Sequence, residues 1–135
     1  MEIGKAIFNI LTNNANVTAI VGTRVFPNVA AQTTQFPFII YNVAKADPSN
    51  TKDGVSTLDV ISCMISCYSE SYSSCTDLSK KVRIALDRLS GTFASEQIQS
   101  IEFTDYNDVF DDTSGDSGIY RKALDFNIRQ INPTQ

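Results

Sequence analysis

"PFIIYNVAKADPSNTKDGVSTLDVISCMISCYS", residues 37–69, sets two β-rich runs around a polar centre. Phe38-Ile39-Ile40-Tyr41-Asn42-Val43 is dense in β-branched and aromatic residues, and a second extended run goes from Val55 to about Tyr68. Pro37 opens the first run, where a proline costs no internal ladder bond. Between the runs, "DPSNTKDG" from Asp47 to Gly54 is turn chemistry throughout. The span predicts a hairpin with arms of about ten residues or more, ~33 Å long, enough to project beyond a compact body. Pro48 and the polar residues Asp47, Asn50, Lys52 and Asp53 near the tip would blunt edge pairing. Two readings stand for this hairpin: a surface feature of no special role, or an arm in which those four polar residues meet a neighbouring subunit or partner.

Upstream, Ile3, Ala6, Ile7, Ile10 and Leu11 form the stripe of an amphipathic helix that Asn13-Asn14 ends. A short second helix fits residues 17–21, with Asn16 as N-cap and Gly22 as stop. Arg24-Val25-Phe26 reads as a brief extended piece closed by Pro27, and residues 28–36 as polar and irregular. The Arg24 guanidinium either ties this helix–strand corner to a carbonyl or carboxylate, or makes an intersubunit contact.

Downstream the period changes. Tyr72, Cys75, Leu78, Val82, Ala85, Leu86 and Leu89 recur at helical spacing. They predict a principal helix of about twenty residues, capped by Ser69 or Ser71 and ended by Gly91. "IQSIEFT", residues 98–104, gives a weaker strand, followed by an acidic loop "DYNDVFDDTSGDSG". The last strand runs from Ile119 to about Ile131, with Tyr120, Leu124, Phe126 and Ile128 on one face and Lys122 interrupting that face, as a side chain snorkelling at an edge would.

A chain of 135 residues is one domain by size and should bury roughly 70% of its unfolded surface. No run approaches the ~18 apolar residues of a membrane span, and Met1 to Lys5 does not resemble a secretory signal. The expectation is a soluble protein made inside a cell, or part of an assembly built there. A formal charge of −4 opposes an ordinary nucleic-acid grip, which needs a basic face, but suits a passage that repels phosphates.

Candidate chemistry is sparse. The sequence has no histidine, so its serines lack the usual activating base. Cys63 and Cys67 would share one strand face about 13 Å apart, too far for a bridge, and three thiols leave zinc short of a ligand. Buried reduced cysteine is the expectation for these and for Cys75. The aspartates Asp105, Asp108, Asp111, Asp112 and Asp116 invite calcium. An EF-hand fails on them, with Phe110 or Asp116 at the glycine position. Glu70, Glu96 and Glu102 leave paired-carboxylate hydrolysis as a formal alternative. The residues point to no enzyme, no cofactor and no metal.

The order of motifs is more telling. An N-terminal helix is followed by "NVTAIVGTRVFP", "QFPFIIYNV", a strand ending "ISCYSES", the helix "SSCTDLSKKVRIALDRLSG", the acidic run and "GIYRKALDFNI". Over about residues 3–131 this resembles the tail terminator (tail completion) proteins of long-tailed bacteriophages. Val21-Gly22-x-Arg24, Pro37 and Tyr120-Arg121…Asp125-Phe126 carry most of the likeness, while the cysteines and the aspartate-rich run depart from it.

The resemblance implies an α+β fold in a single domain, residues 1–135. A mixed, largely antiparallel sheet with a long hairpin would be packed on one side by the N-terminal helix and a principal helix near residues 70–90. It also implies a structural protein at the head-proximal end of the virion tail, assembled in the host cytoplasm. There a homohexameric ring would cap the tail tube protein, end its polymerisation and meet the head connector or neck protein. DNA would pass through the bore without sequence-specific binding. The aspartate run departs from the family pattern, so no role for it follows from the resemblance. That it lines the bore or an interface is a separate hypothesis drawn from its charge. Another head–tail joining protein, the small hydrolase and a plain monomeric binding module are the competing readings.

Overall fold

The computed structural model describes residues 3–22, 24–28, 36–48, 58–94, 96–111 and 119–131. The first helix, α1 (Ile3–Thr12), buries all five residues of the predicted stripe. The second, α2 (Ala15–Val21), begins two residues earlier than expected, and its N-cap is Asn14, not Asn16. Asn14 is the residue with extended backbone, and its Oδ1 accepts from the N–H groups of Asn16 at 3.0 Å and Val17 at 3.2 Å. Those are two of the donors that a helix start leaves unsatisfied. Gly22 ends α2 at φ 60°, a conformation that a side chain would oppose, and its N–H returns to the Thr18 carbonyl.

Among the described residues the sheet has six strands, in the order β1-β2-β3-β6-β5-β4. In chain order these are β1 (Val25–Pro27), β2 (Phe38–Pro48), β3 (Leu58–Ser69), β4 (Gly91–Phe93), β5 (Glu96–Asp111) and β6 (Ile119–Ile131). Only β1 against β2 is parallel. The predicted hairpin is β2–β3, but its arms do not stand clear of the body. β6 pairs with β3 from Leu58↔Ile131 to Ser69↔Tyr120, which builds the hairpin into the sheet along its described length.

Side-chain alternation places the core. Ile61, Cys63 and Ile65 lie opposite Ile128, Phe126 and Leu124, and all six are buried. Over this face lie α1 and the principal helix α3 (Tyr72–Leu86), which contributes Cys75, Leu78, Val82, Ala85 and Leu86. Each buried Leu, Ile or Val among them contributes about 1.5–3 kcal/mol, so the one-sided stripes of α1 and α3 hold both helices against the sheet. On the opposite face Phe38 stacks on Tyr68 at 4.8 Å, flanked by Phe26 and Phe36. The two Phe-Pro pairs thus serve packing.

Two expectations change here. The helix α3 starts at the Ser71 cap but stops at Leu86, well before Gly91, which opens β4. Strand β5 draws the chain away. The Arg88 N–H donates to the Ile101 carbonyl at 2.7 Å, and Asp87 Oδ1 accepts from the Phe103 N–H at 3.1 Å. The acidic run, expected as a loop from Asp105, continues as strand to Asp111 because β6 pairs with it throughout. Register irregularities at Ile98/Ser100 and Phe103/Asp105 absorb the extra residues.

All three cysteines are buried free thiols. Burial, with Asp125 as a lesser cause, pushes the Cys63 thiol from 9.0 up to about 12, and burial also raises Cys67 and Cys75. Below pH 9 both folded and unfolded chains keep these protons. Above it the unfolded chain loses them first, so stability should fall between about pH 9 and 12 by up to ~1.4 kcal/mol per pH unit per thiol. Urea titrations at pH 8 and pH 10.5 check this, with Cys63→Ala giving the shallower dependence. Maleimide should label none of the thiols at pH 7.5 until the chain unfolds.

Candidate interaction surfaces

Arg24 stands at the corner between α2 and the start of β2. Its Nε donates to the Pro37 carbonyl at 2.9 Å and its Nη2 to the Ile20 carbonyl at 3.3 Å. The Arg24 carbonyl accepts from the Ile39 N–H at 3.0 Å. One planar fork thus joins the last turn of α2 to the residue that opens β2.

The predicted hairpin contacts are only partly visible. Asp47 lies in β2 opposite Val60. Asn50, Lys52 and Asp53 lie outside the described residues.

The aspartates do not form one cluster. Asp105 lies opposite Asp125, a like-charge pair across the ladder, and its Oδ1 accepts from the Tyr106 N–H at 2.8 Å. Asp108 lies opposite Lys122, on the face that carries the helices. Asp111 is the last paired residue of β5, opposite Ile119, while Asp112 and Asp116 lie outside the described residues. Among the described residues no group of three acidic or thiol side chains could hold a metal ion. Of the carboxylates weighed for hydrolysis, Glu70 precedes α3 at one end of the sheet, and Glu102 pairs opposite Asn127 toward the other.

The sequence reading missed the arrangement around Lys122. This side chain does not escape to an edge: it is 12% exposed, and its Nζ lies 3.3 Å from Asp108 Oδ1. The Tyr72 hydroxyl donates to the other Asp108 oxygen at 3.3 Å. The Tyr72 and Tyr106 rings stand 5.6 and 5.3 Å from the ammonium, within cation–π range. Beside this box a groove of about 120 Å³ runs between α3 and the sheet, with Lys80 and Arg83 on its helix side and Phe103 and Tyr106 on its strand side. The available signal was alternation: Lys122 shares the parity of Leu124 and Phe126, so its partner had to come from a neighbouring strand. Taking Asp108 for loop hid that partner.

Among the described residues these groupings are a corner tie, an ion pair and ring contacts. Comparison with known proteins gives a direction. A family model described as "Tail completion protein gp17" matches residues 5–131. The chain belongs to this family. As a tail completion protein it is a phage tail structural protein, located in the virion tail. A solved chain from a structure described as "Virion of native gene transfer agent (GTA) particle" superposes with a TM-score of 0.70. It is 17% identical, and the match covers 94% of this chain and 92% of the other, a likeness of fold. No curated protein matches the sequence. Family membership and the α+β architecture agree with the resemblance read from the motifs.

Proposed function

We propose that this tail completion protein acts as a tail terminator: a single-domain subunit, residues 1–135, of a homohexameric ring that caps the finished tail tube. The ring stops further tube subunits from adding and offers its other side to the head connector or neck protein. It works by shape, with no bond made or broken. The observation that carries this reading is the family match over residues 5–131, nearly the whole chain. Heterologous contacts between identical subunits close into a ring when the rotation between them divides a full turn. Six copies carry a formal charge of roughly −24, which would let DNA slide through the bore by repulsion.

The test is oligomeric state together with tube binding. Native mass measurement and negative-stain images should show a sixfold ring with a central hole. Added to growing tail tubes, the protein should sit at one end and arrest elongation. A chain that stays monomeric at high concentration and ignores tube ends overturns the reading. A ring that ignores tube ends but binds the connector reassigns it to the neck.

A further inference from the structure

Among the described residues, the sheet is left unfinished at both edges, on opposite diagonals. Strand β1 covers β2 only at Ile39–Tyr41, and β4 covers β5 only at Glu96–Ile98. Among the described residues, no strand pairs with residues 42–48 of β2 on the side away from β3. None pairs with residues 99–111 of β5 on the side away from β6. On β5 the first part of that edge is already occupied, since the Ile101 carbonyl and the Phe103 N–H bond to Arg88 and Asp87. Residues 104–111 are what remains, with the Tyr106 N–H bonded there to the Asp105 side chain of its own strand. Unpaired strand edges of this length are templates for another strand, and proteins normally cover or blunt them.

We infer that residues 104–111 of one copy pair with residues 42–48 of the next copy, so that the sheets of neighbouring subunits join edge to edge around the ring. This rests on the ring proposed above and supplies its contact. Three observations support it. First, β2–β3, β3–β6 and β6–β5 are each antiparallel, so β5 runs opposite to β2. Copies standing the same way up, as in a ring with two different faces, therefore present these edges as an antiparallel pair, the more stable ladder.

Second, charge opposes the pairing of two β5 edges. Residues 104–111 hold Asp105, Asp108 and Asp111 and no lysine or arginine, so two such edges would repel. Residues 42–48 hold one Lys45 and one Asp47, and accept the acidic edge without that cost.

Third, the open stretches lie at opposite ends of the strands. The β5 stretch is level with residues 38–42 of β2, most of which β1 covers, and the β2 stretch is level with residues 98–105 of β5, next to the part that β4 covers. Pairing them staggers each subunit along the strands relative to the last. A closed ring accommodates such a stagger when the strands tilt to its axis, by the same geometry that links tilt to shear in a barrel.

Two proline variants test the pairing. The Ile39 N–H and the Tyr41 carbonyl both bond toward the β1 side. Alternation therefore puts the Val43 N–H on the open side too, where Val43→Pro removes it without touching the β3 ladder. Tyr106→Pro removes an N–H that bonds the Asp105 side chain and sets a proline on the open edge. Each variant should give a folded monomer where the wild type gives rings. An equimolar mixture should give heterodimers, because the intact β5 edge of one meets the intact β2 edge of the other.

Hydrogen exchange on the unmodified protein gives a second readout that does not depend on the variants folding. Amides of residues 43–47 and 106–111 should slow together by at least about tenfold on going from dilute monomer to ring. Rings from either proline variant, a mixture that stays monomeric, or wild-type rings with one or both edges unprotected would overturn the pairing and leave the ring standing. A wild type that never forms rings overturns the ring reading and the pairing with it.

Discussion

Phe126→Ala is expected to cost about 3–5 kcal/mol, a large share of the 5–15 kcal/mol that usually holds a domain together. Phe126 is 1% exposed at the centre of β6, between Cys63 of β3 and Phe103 of β5. Its ring meets Phe103 edge-on at 5.7 Å. Truncation removes the buried ring, the edge-to-face contact and the cover over Cys63, and leaves a cavity that flanking strands cannot close without breaking their ladders. Urea unfolding should show a midpoint shift of this size, and the melting temperature should fall by roughly 10–20 °C. Phe126→Leu, which keeps much of the volume, should lose less than half as much. A loss under ~1 kcal/mol for the alanine variant would mean that the sheet repacks freely at its centre.

Arg24→Ala should cost about 2–3 kcal/mol, because the carbonyls of Pro37 and Ile20 lose a charged donor in a part-buried corner. Lysine at the same position cannot reach both carbonyls with one planar fork, and should recover less than half of the loss. Urea unfolding under monomeric conditions makes the measurement. The same variant separates the two roles weighed for this residue. A corner tie lowers monomer stability, whereas a purely intersubunit contact leaves the monomer unchanged and weakens only assembly.

Legibility differed from element to element for physical reasons. The α1 stripe could be read directly, since a helix of regular period that buries one face writes that face into the spacing of Ile3, Ala6, Ile7, Ile10 and Leu11. The hairpin was equally open, since β-branched runs flank a segment of turn residues. The ends of α2 and α3 were less open. Three asparagines compete for one cap near residue 14, and only backbone conformation chooses among them. Leu89 keeps the helical period beyond Leu86, yet the chain leaves the helix because Asp87 and Arg88 bond to β5.

Residue pattern was enough for both longer helices, the hairpin and the last strand, the one-sided burial of the helices, the buried thiols and the resemblance to a tail completion protein, because each depends on local period or on motif order along the chain. Strand β4 left no such mark. Folding in three dimensions settled the rest. It turned half of an acidic loop into strand, gave Lys122 its carboxylate, split the aspartates between two faces and, among the described residues, left β2 and β5 with open edges on opposite diagonals. Those outcomes depend on which strands become neighbours and in what register. Pairing between residues far apart in the chain is decided by the energy of the whole sheet, so it leaves little mark on any short stretch of residues.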